Sequence, residues 1–167
     1  LLKSKYQKLY KKHVTLIKKN YNDYILINTS FGLGNNILGE DFVNRNYESR
    51  IPNLEKIILY EKKQINHLIK IITYLSENCN KNLIIRPHPE ENIEIYKSQF
   101  NNIKNIHIIY DKSVIPWMLG AHSVIHHSCT TAIEAKMLGI QPISVGKDYN
   151  LDLIPWLPLE MGPKFEK

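Results

Sequence analysis

Five short, almost wholly apolar runs recur along this chain, each separated from the next by residues without that character. They are Tyr24–Thr29, Leu83–Ile85, Ile106–Tyr110, Ser123–His126 and Pro142–Val145. A strand that is apolar on both sides must be covered on both faces, as in a parallel sheet. Between the runs lie stretches with helical spacing. The longest, Leu54 to Glu77, sets Ile57, Ile58, Ile65, Leu68, Ile69, Ile72 and Leu75 on one broad face. Shorter helical patterns cover residues 92–99, Val114–Leu119 and Thr130–Leu138, the last closed by Gly139. Residues 37–52 have no clear period and predict a loop with a short helical turn.

Strands alternating with helices call for an α/β fold, a Rossmann-like parallel sheet flanked by helices. Ligands of such open sheets sit outside the carboxyl ends of the strands, and the motifs described below fall at those ends.

The 167 residues suffice for one domain with a sizeable core, or for half of a two-domain enzyme. The 43% hydrophobic and 23% charged fractions are those of an ordinary globular protein, and no apolar run is long enough to span a bilayer. The first residue is leucine and the opening is basic without an apolar signal core. The expectation is a piece of a longer protein whose N-terminal part is missing. Two cysteines, Cys79 and Cys129, make no disulfide framework and fit a reducing cytoplasm.

The net charge of +6 is concentrated near the start, at Lys3, Lys5, Lys8, Lys11, Lys12, Lys18 and Lys19. Residues 1–20 read as a basic amphipathic helix or interdomain connection, with Leu2, Tyr6, Leu9, His13, Leu16 and Ile17 as its packing stripe. Peripheral contact with an anionic membrane is the alternative use of the lysines, at about 1 kcal/mol each. Nucleic acid is not the expected partner, because only Tyr6 and Tyr10 interleave the lysines and no recognition motif accompanies them. After the fifth run, Pro155, Pro158 and Pro163 predict irregular structure, and residues 161–167 a tail.

In Ser123–Ala135 a short strand ends in small hydroxyl residues that open a helix. Backbone N–H groups at such a place favour an anion such as phosphate. Ser128, Thr130 and Thr131 offer more hydroxyls than capping requires, and one of them is expected to act only as the cap. Glu134, one turn further on, either reaches a ribose hydroxyl or pairs with Lys136 or Lys147. Upstream, Arg86-Pro87-His88-Pro89 ends the second run. His88 is held rigid between prolines and could donate to phosphate or give up a proton near neutral pH. Arg86 is a candidate for a bidentate phosphate contact, or for a pair with Glu90 or Glu91.

The loop Gly32-Leu33-Gly34-Asn35-Asn36 lacks the Walker lysine and holds only a fragment of the dinucleotide fingerprint. Gly34 would still allow close backbone approach to a ligand, and Asn35 could bond a phosphate or sugar. His126, His127 and Cys129 invite a metal, but adjacent histidines on a strand point to opposite faces. No further Cys or His has the spacing, so no metal is expected. A Ser128 nucleophile with His88 or His127 as base lacks a nucleophile elbow.

Taken together, Arg86-Pro87-His88-Pro89, Ser128-Cys129-Thr130-Thr131, Glu134-Ala135 and Gly139-Ile140-Gln141-Pro142 resemble the C-terminal half of GT-B glycosyltransferase-like proteins, in particular those of bacterial surface polysaccharide biosynthesis. The segment Tyr24 to Gly34 is similar to the same group, and the resemblance spans roughly residues 20–160. It implies that residues 21–160 form a donor-nucleotide domain, the C-terminal half of a GT-B architecture. His88 would act in catalysis and contact the nucleotide or its phosphate. Ser128, Thr130 and Thr131 would hold phosphate, and Glu134 the ribose. The nucleotide-activated sugar would be a substrate, with no cofactor and no protein-bound metal. The acceptor would be a carbohydrate or a lipid-linked molecule, and its activating base would lie in an N-terminal domain. The implied location is cytoplasmic, with peripheral attachment to the inner membrane face as a variant. A nucleotide-sugar 2-epimerase-like enzyme shares the architecture but carries a Gly-rich serine segment where this chain has Ser128-Cys129-Thr130-Thr131. A non-catalytic α/β interaction module is the other alternative.

Overall fold

A computed structural model describes residues 2–110 and 113–166. Six strands form one sheet in which every pairing is parallel: β1 (Tyr24–Asn28), β2 (Asn82–Arg86), β3 (Ile106–Ile108), β4 (Ser123–His126), β5 (Pro142–Gly146) and β6 (Lys164–Glu166). Their order across the sheet is β3-β2-β1-β4-β5-β6. Among the described residues the helices are α1 (Leu2–Tyr21), α2 (Glu40–Tyr47), α3 (Leu54–Asn78), α4 (Glu94–Phe100), α5 (Val114–Gly120) and α6 (Thr131–Met137). This is a Rossmann-like α/β arrangement.

Alternation along the strands sorts the core into two layers. Ile25, Ile27, Leu83, Ile85, Ile125 and Val145 face Ile65, Leu68 and Ile72 of α3 and Tyr96 and Phe100 of α4. The intervening residues Tyr24, Leu26, Ile84 and Val124 face Ile17 of α1, Trp117 and Met118 of α5 and Ala135 of α6. Both faces of β1 are therefore buried, and each such aliphatic side chain contributes about 1.5–3 kcal/mol. Strand order reverses between β1 and β4, which opens a crevice at their carboxyl ends.

Three expectations change. Residues 37–52 hold an eight-residue helix, α2, seated through Val43 on Leu54 and Ile58. Residues 161–167 are not merely a tail: after a 3-10 turn at Leu157–Met161, residues 164–166 add β6 along β5. Gly162 permits this, since a Cβ there would stand 1.8 Å from the Pro142 carbonyl oxygen. Lys167 lies outside the described residues. The stripe of α1 is also rotated from the one expected. Ile17 is buried and Tyr6, Tyr10, Val14 and Tyr21 are half-buried, whereas Leu9, His13 and Leu16 are exposed. The side chain of Leu2 lies outside the described residues. The helix docks on α5 of its own domain, where aromatic contacts such as Tyr21 with Trp117 decide its rotation.

Candidate functional site

The crevice between β1 and β4 is a cleft of about 310 Å³. Its walls come from four places: Ser30, Phe31 and Leu33 after β1, His88 after β2, His127–Thr130 after β4, and Leu153–Pro155. Ile57 and Glu61 of α3 form the remaining side. The structure thus brings His88, Ser128 and Thr130 to one cavity.

His88 is exposed at the cleft, and its Nδ1 accepts from the Glu90 N–H at 3.3 Å. In the neutral ring the proton is then on Nε2, which is left as a donor. Ser128 is buried with φ at +49°, an uncommon left-handed conformation for a non-glycine residue. Its hydroxyl donates to the Pro155 carbonyl at 2.9 Å, so only its oxygen's accepting capacity remains for a ligand. Thr130 stands at the N-cap of α6 but makes no side-chain cap hydrogen bond. Thr130 is exposed and lines the cleft, contrary to the expectation that one of the three serves only as cap.

Five residues expected at the site lie elsewhere. Arg86 alternates to the opposite face of the sheet from Ile85, and its guanidinium sits 5.4 Å from the ring centroid of Trp117. Thr131 turns away from the cleft. Its Oγ1 accepts from Asn28 Nδ2 at 3.0 Å and donates to Cys129 Sγ. The N–H of Gly34 is taken by Glu61 Oε2, and the close approach its missing Cβ allows is to α3: a Cβ would stand 2.6 Å from Glu61 Cβ. Asn35 ties two loops together, donating from Nδ2 to the Asn92 carbonyl. Glu134 is exposed in mid-α6, outside the cleft wall.

His127 and His126 point to opposite faces, as expected of neighbours on a strand. His127 is stacked between Phe31 and Tyr149, each ring centroid 5.4 Å away. Its Nδ1–H donates to the Val145 carbonyl, which leaves Nε2 to accept from the Tyr60 hydroxyl. Burial lowers its pKa to about 4 and keeps it neutral. His126 is wholly buried, its pKa also lowered to about 4 by burial, and among the described residues neither ring nitrogen has a partner.

Two carboxylates of the site escaped the sequence reading. Glu91, 1% exposed, accepts from Thr29 Oγ1 at 2.6 Å, Phe31 N at 3.0 Å, His88 N at 3.1 Å and the Tyr96 hydroxyl at 2.6 Å. It thereby joins the loops after β1 and β2 that carry the cleft walls. No spacing in the sequence singles it out. Glu61 does leave a signal, because it interrupts the apolar face of α3 between Ile58 and Ile65. Its Oε2 accepts from the N–H groups of Leu33 and Gly34, while burial in the cleft wall raises its pKa to about 7.

No model of a known protein family matches the chain, and no curated protein matches it significantly. Among the described residues, no helix is long and apolar enough to cross a membrane.

Proposed function

We propose that the cleft binds the phosphate of a nucleotide-activated sugar, as the donor-nucleotide domain of a glycosyltransferase of bacterial surface polysaccharide biosynthesis. The observation that supports this reading best is the meeting of His88, Ser128 and Thr130 in one cleft where the strand order reverses. Ligands of parallel sheets bind at that point.

In the transfer, the bond between the anomeric carbon and the phosphate oxygen breaks and its electron pair stays on the departing nucleotide. An acceptor hydroxyl supplies the new bond and loses its proton to a base in the N-terminal domain that the resemblance implies. His88 Nε2–H and the Thr130 hydroxyl would donate to the phosphate as its charge grows. This is catalysis by positioning and electrostatic stabilisation. Arg86 and Glu134 have no part in this version of the site, and the domain supplies no cofactor.

Calorimetric titration with CMP, CDP and UDP tests the reading. Saturable binding to one of them, lost in His88→Ala while the fold is retained, is the expected result. Absence of binding to all three by the native chain refutes it.

A further inference from the structure

Beside the cleft, α3 and the segment after β5 border a larger, open cavity of about 590 Å³. Lys56, Lys63 and His67 reach it from one face of α3, and Lys147 from the end of β5. Asp148 is the single carboxylate in its wall. Among the described residues, Lys62, Lys81, Lys97 and Lys164 each pair with a carboxylate, but Lys56, Lys63 and Lys147 have none within ion-pair distance.

This concave surface is also held in shape. Gln64 is buried and spends its whole amide on one residue: Nε2 donates to the Lys147 carbonyl and Oε1 accepts from the Lys147 N–H at 3.0 Å. The backbone from which the Lys147 side chain projects is thereby fixed opposite the α3 lysines. Three lysines against the one carboxylate of Asp148 leave the wall net positive, and net positive charge in a concave wall focuses the field and concentrates anions there.

The cavity adjoins the first cleft. Leu153 lines both, and Tyr60 in this wall meets His127 Nε2 in the other at 3.4 Å.

We propose that this cavity is a second anion subsite, taking a phosphate or carboxylate group other than the one held beside His88 and Thr130. Its relation to a nucleotide rests on the donor-domain reading above; its anion binding does not. The group has two possible sources, a further phosphate of the same nucleotide or an anionic group on a separate acceptor molecule.

The probe is inorganic phosphate, added to the whole 167-residue chain while the His67 imidazole signals are followed by NMR. The expected result is a saturable shift of those signals. Removing two cationic contacts in Lys63→Gln/Lys147→Gln should weaken the binding about tenfold or more. Both substitutions are at exposed positions, and circular dichroism verifies that the variant is folded. Unmoved His67 signals, or equal affinity in the native chain and the variant, overturn the proposal.

Nucleotides then separate the sources. A variant that loses affinity for CDP but not for CMP identifies the group as the nucleotide's further phosphate. Phosphate that still moves His67 in CDP-saturated protein identifies a separate molecule. Failure of the donor-domain reading looks different, since nucleotides would then not bind while phosphate still shifted His67.

Discussion

Glu91 offers the sharpest test of how the cleft is built. Replacing it with alanine strands four donors: the hydroxyls of Thr29 and Tyr96, and the N–H groups of Phe31 and His88. Thr29, Phe31 and Tyr96 are each at most 2% exposed, so water cannot replace the lost acceptor at three of the four without opening the structure. An unsatisfied buried donor costs about 1–3 kcal/mol, and the four share one acceptor and are not additive. A loss of about 4–6 kcal/mol is expected for Glu91→Ala, comparable with the ~5–15 kcal/mol that holds an ordinary domain together. Glu91→Gln is milder. One oxygen can still serve Thr29, Phe31 and His88, while Tyr96 must reverse and accept from the new amide, at about 1–3 kcal/mol. Tyr96→Phe alone should cost about 1.5–3 kcal/mol, because it removes a hydrogen bond to a charged group. In the Gln background it should cost less, since the charge is already gone. Urea unfolding followed by Trp fluorescence gives all four free energies of the cycle. The reasoning fails if Glu91→Ala lies within about 1 kcal/mol of the native chain, or if the Gln and Phe changes add without coupling.

Two further outcomes follow from groups buried in unusual states. Glu61 has its folded pKa raised from an ordinary 4.5 to about 7, so the native state holds a proton that the unfolded chain releases. Stability should therefore fall as pH rises from about 4.5 through about 7, by at most about 3.5 kcal/mol at ~1.4 kcal/mol per unit. Glu61→Gln keeps an acceptor for Leu33 and Gly34 and should flatten that slope; urea midpoints at pH 5 and pH 8 that change equally in both proteins would refute it. His126→Leu removes an imidazole with no partner among the described residues and should stabilise the fold at neutral pH by about 1–2 kcal/mol, read as a higher urea midpoint. It should also remove part of the acid sensitivity between pH 6.5 and 4, where the unfolded chain's imidazole takes up a proton that the buried ring refuses. A destabilised Leu variant would mean that the imidazole is held by something its surroundings in the fold do not include.

The sheet was legible in the chain because its strands are buried on both faces, and a run such as Tyr24–Asn28 has few other ways to be satisfied. Lys164–Glu166 was not, because β6 is three residues of mixed character whose pairing depends on where the chain returns after Pro163. The rotation of α1 was hidden for a similar reason. Leu9 and Leu16 are as apolar as Ile17, and only the aromatic surface of α5 chooses between the two faces.

Within the site, the part that was readable and the part that was not divide along strand parity. Ile85 and Ile27 face α3, so Arg86 and Asn28, the next residues, must face α1, α5 and α6. His126 joins them, because the register sets Arg86, Asn28 and His126 side by side across β2, β1 and β4. A row of polar side chains at strand ends therefore lies behind the sheet, with Trp117 stacked on one end of it. The cleft is lined instead from two to four residues further on, where the chain has left the ladder: Ser30, His88 and Thr130. Position past the last paired residue, rather than proximity to a motif, decides which polar group reaches the cleft. Applied to the apolar run Leu83–Ile85 and the arginine that follows it, that rule alone puts Arg86 on the face away from the cleft. It has no hold on Glu91, whose four partners come from two loops and a helix that only the folded chain brings together.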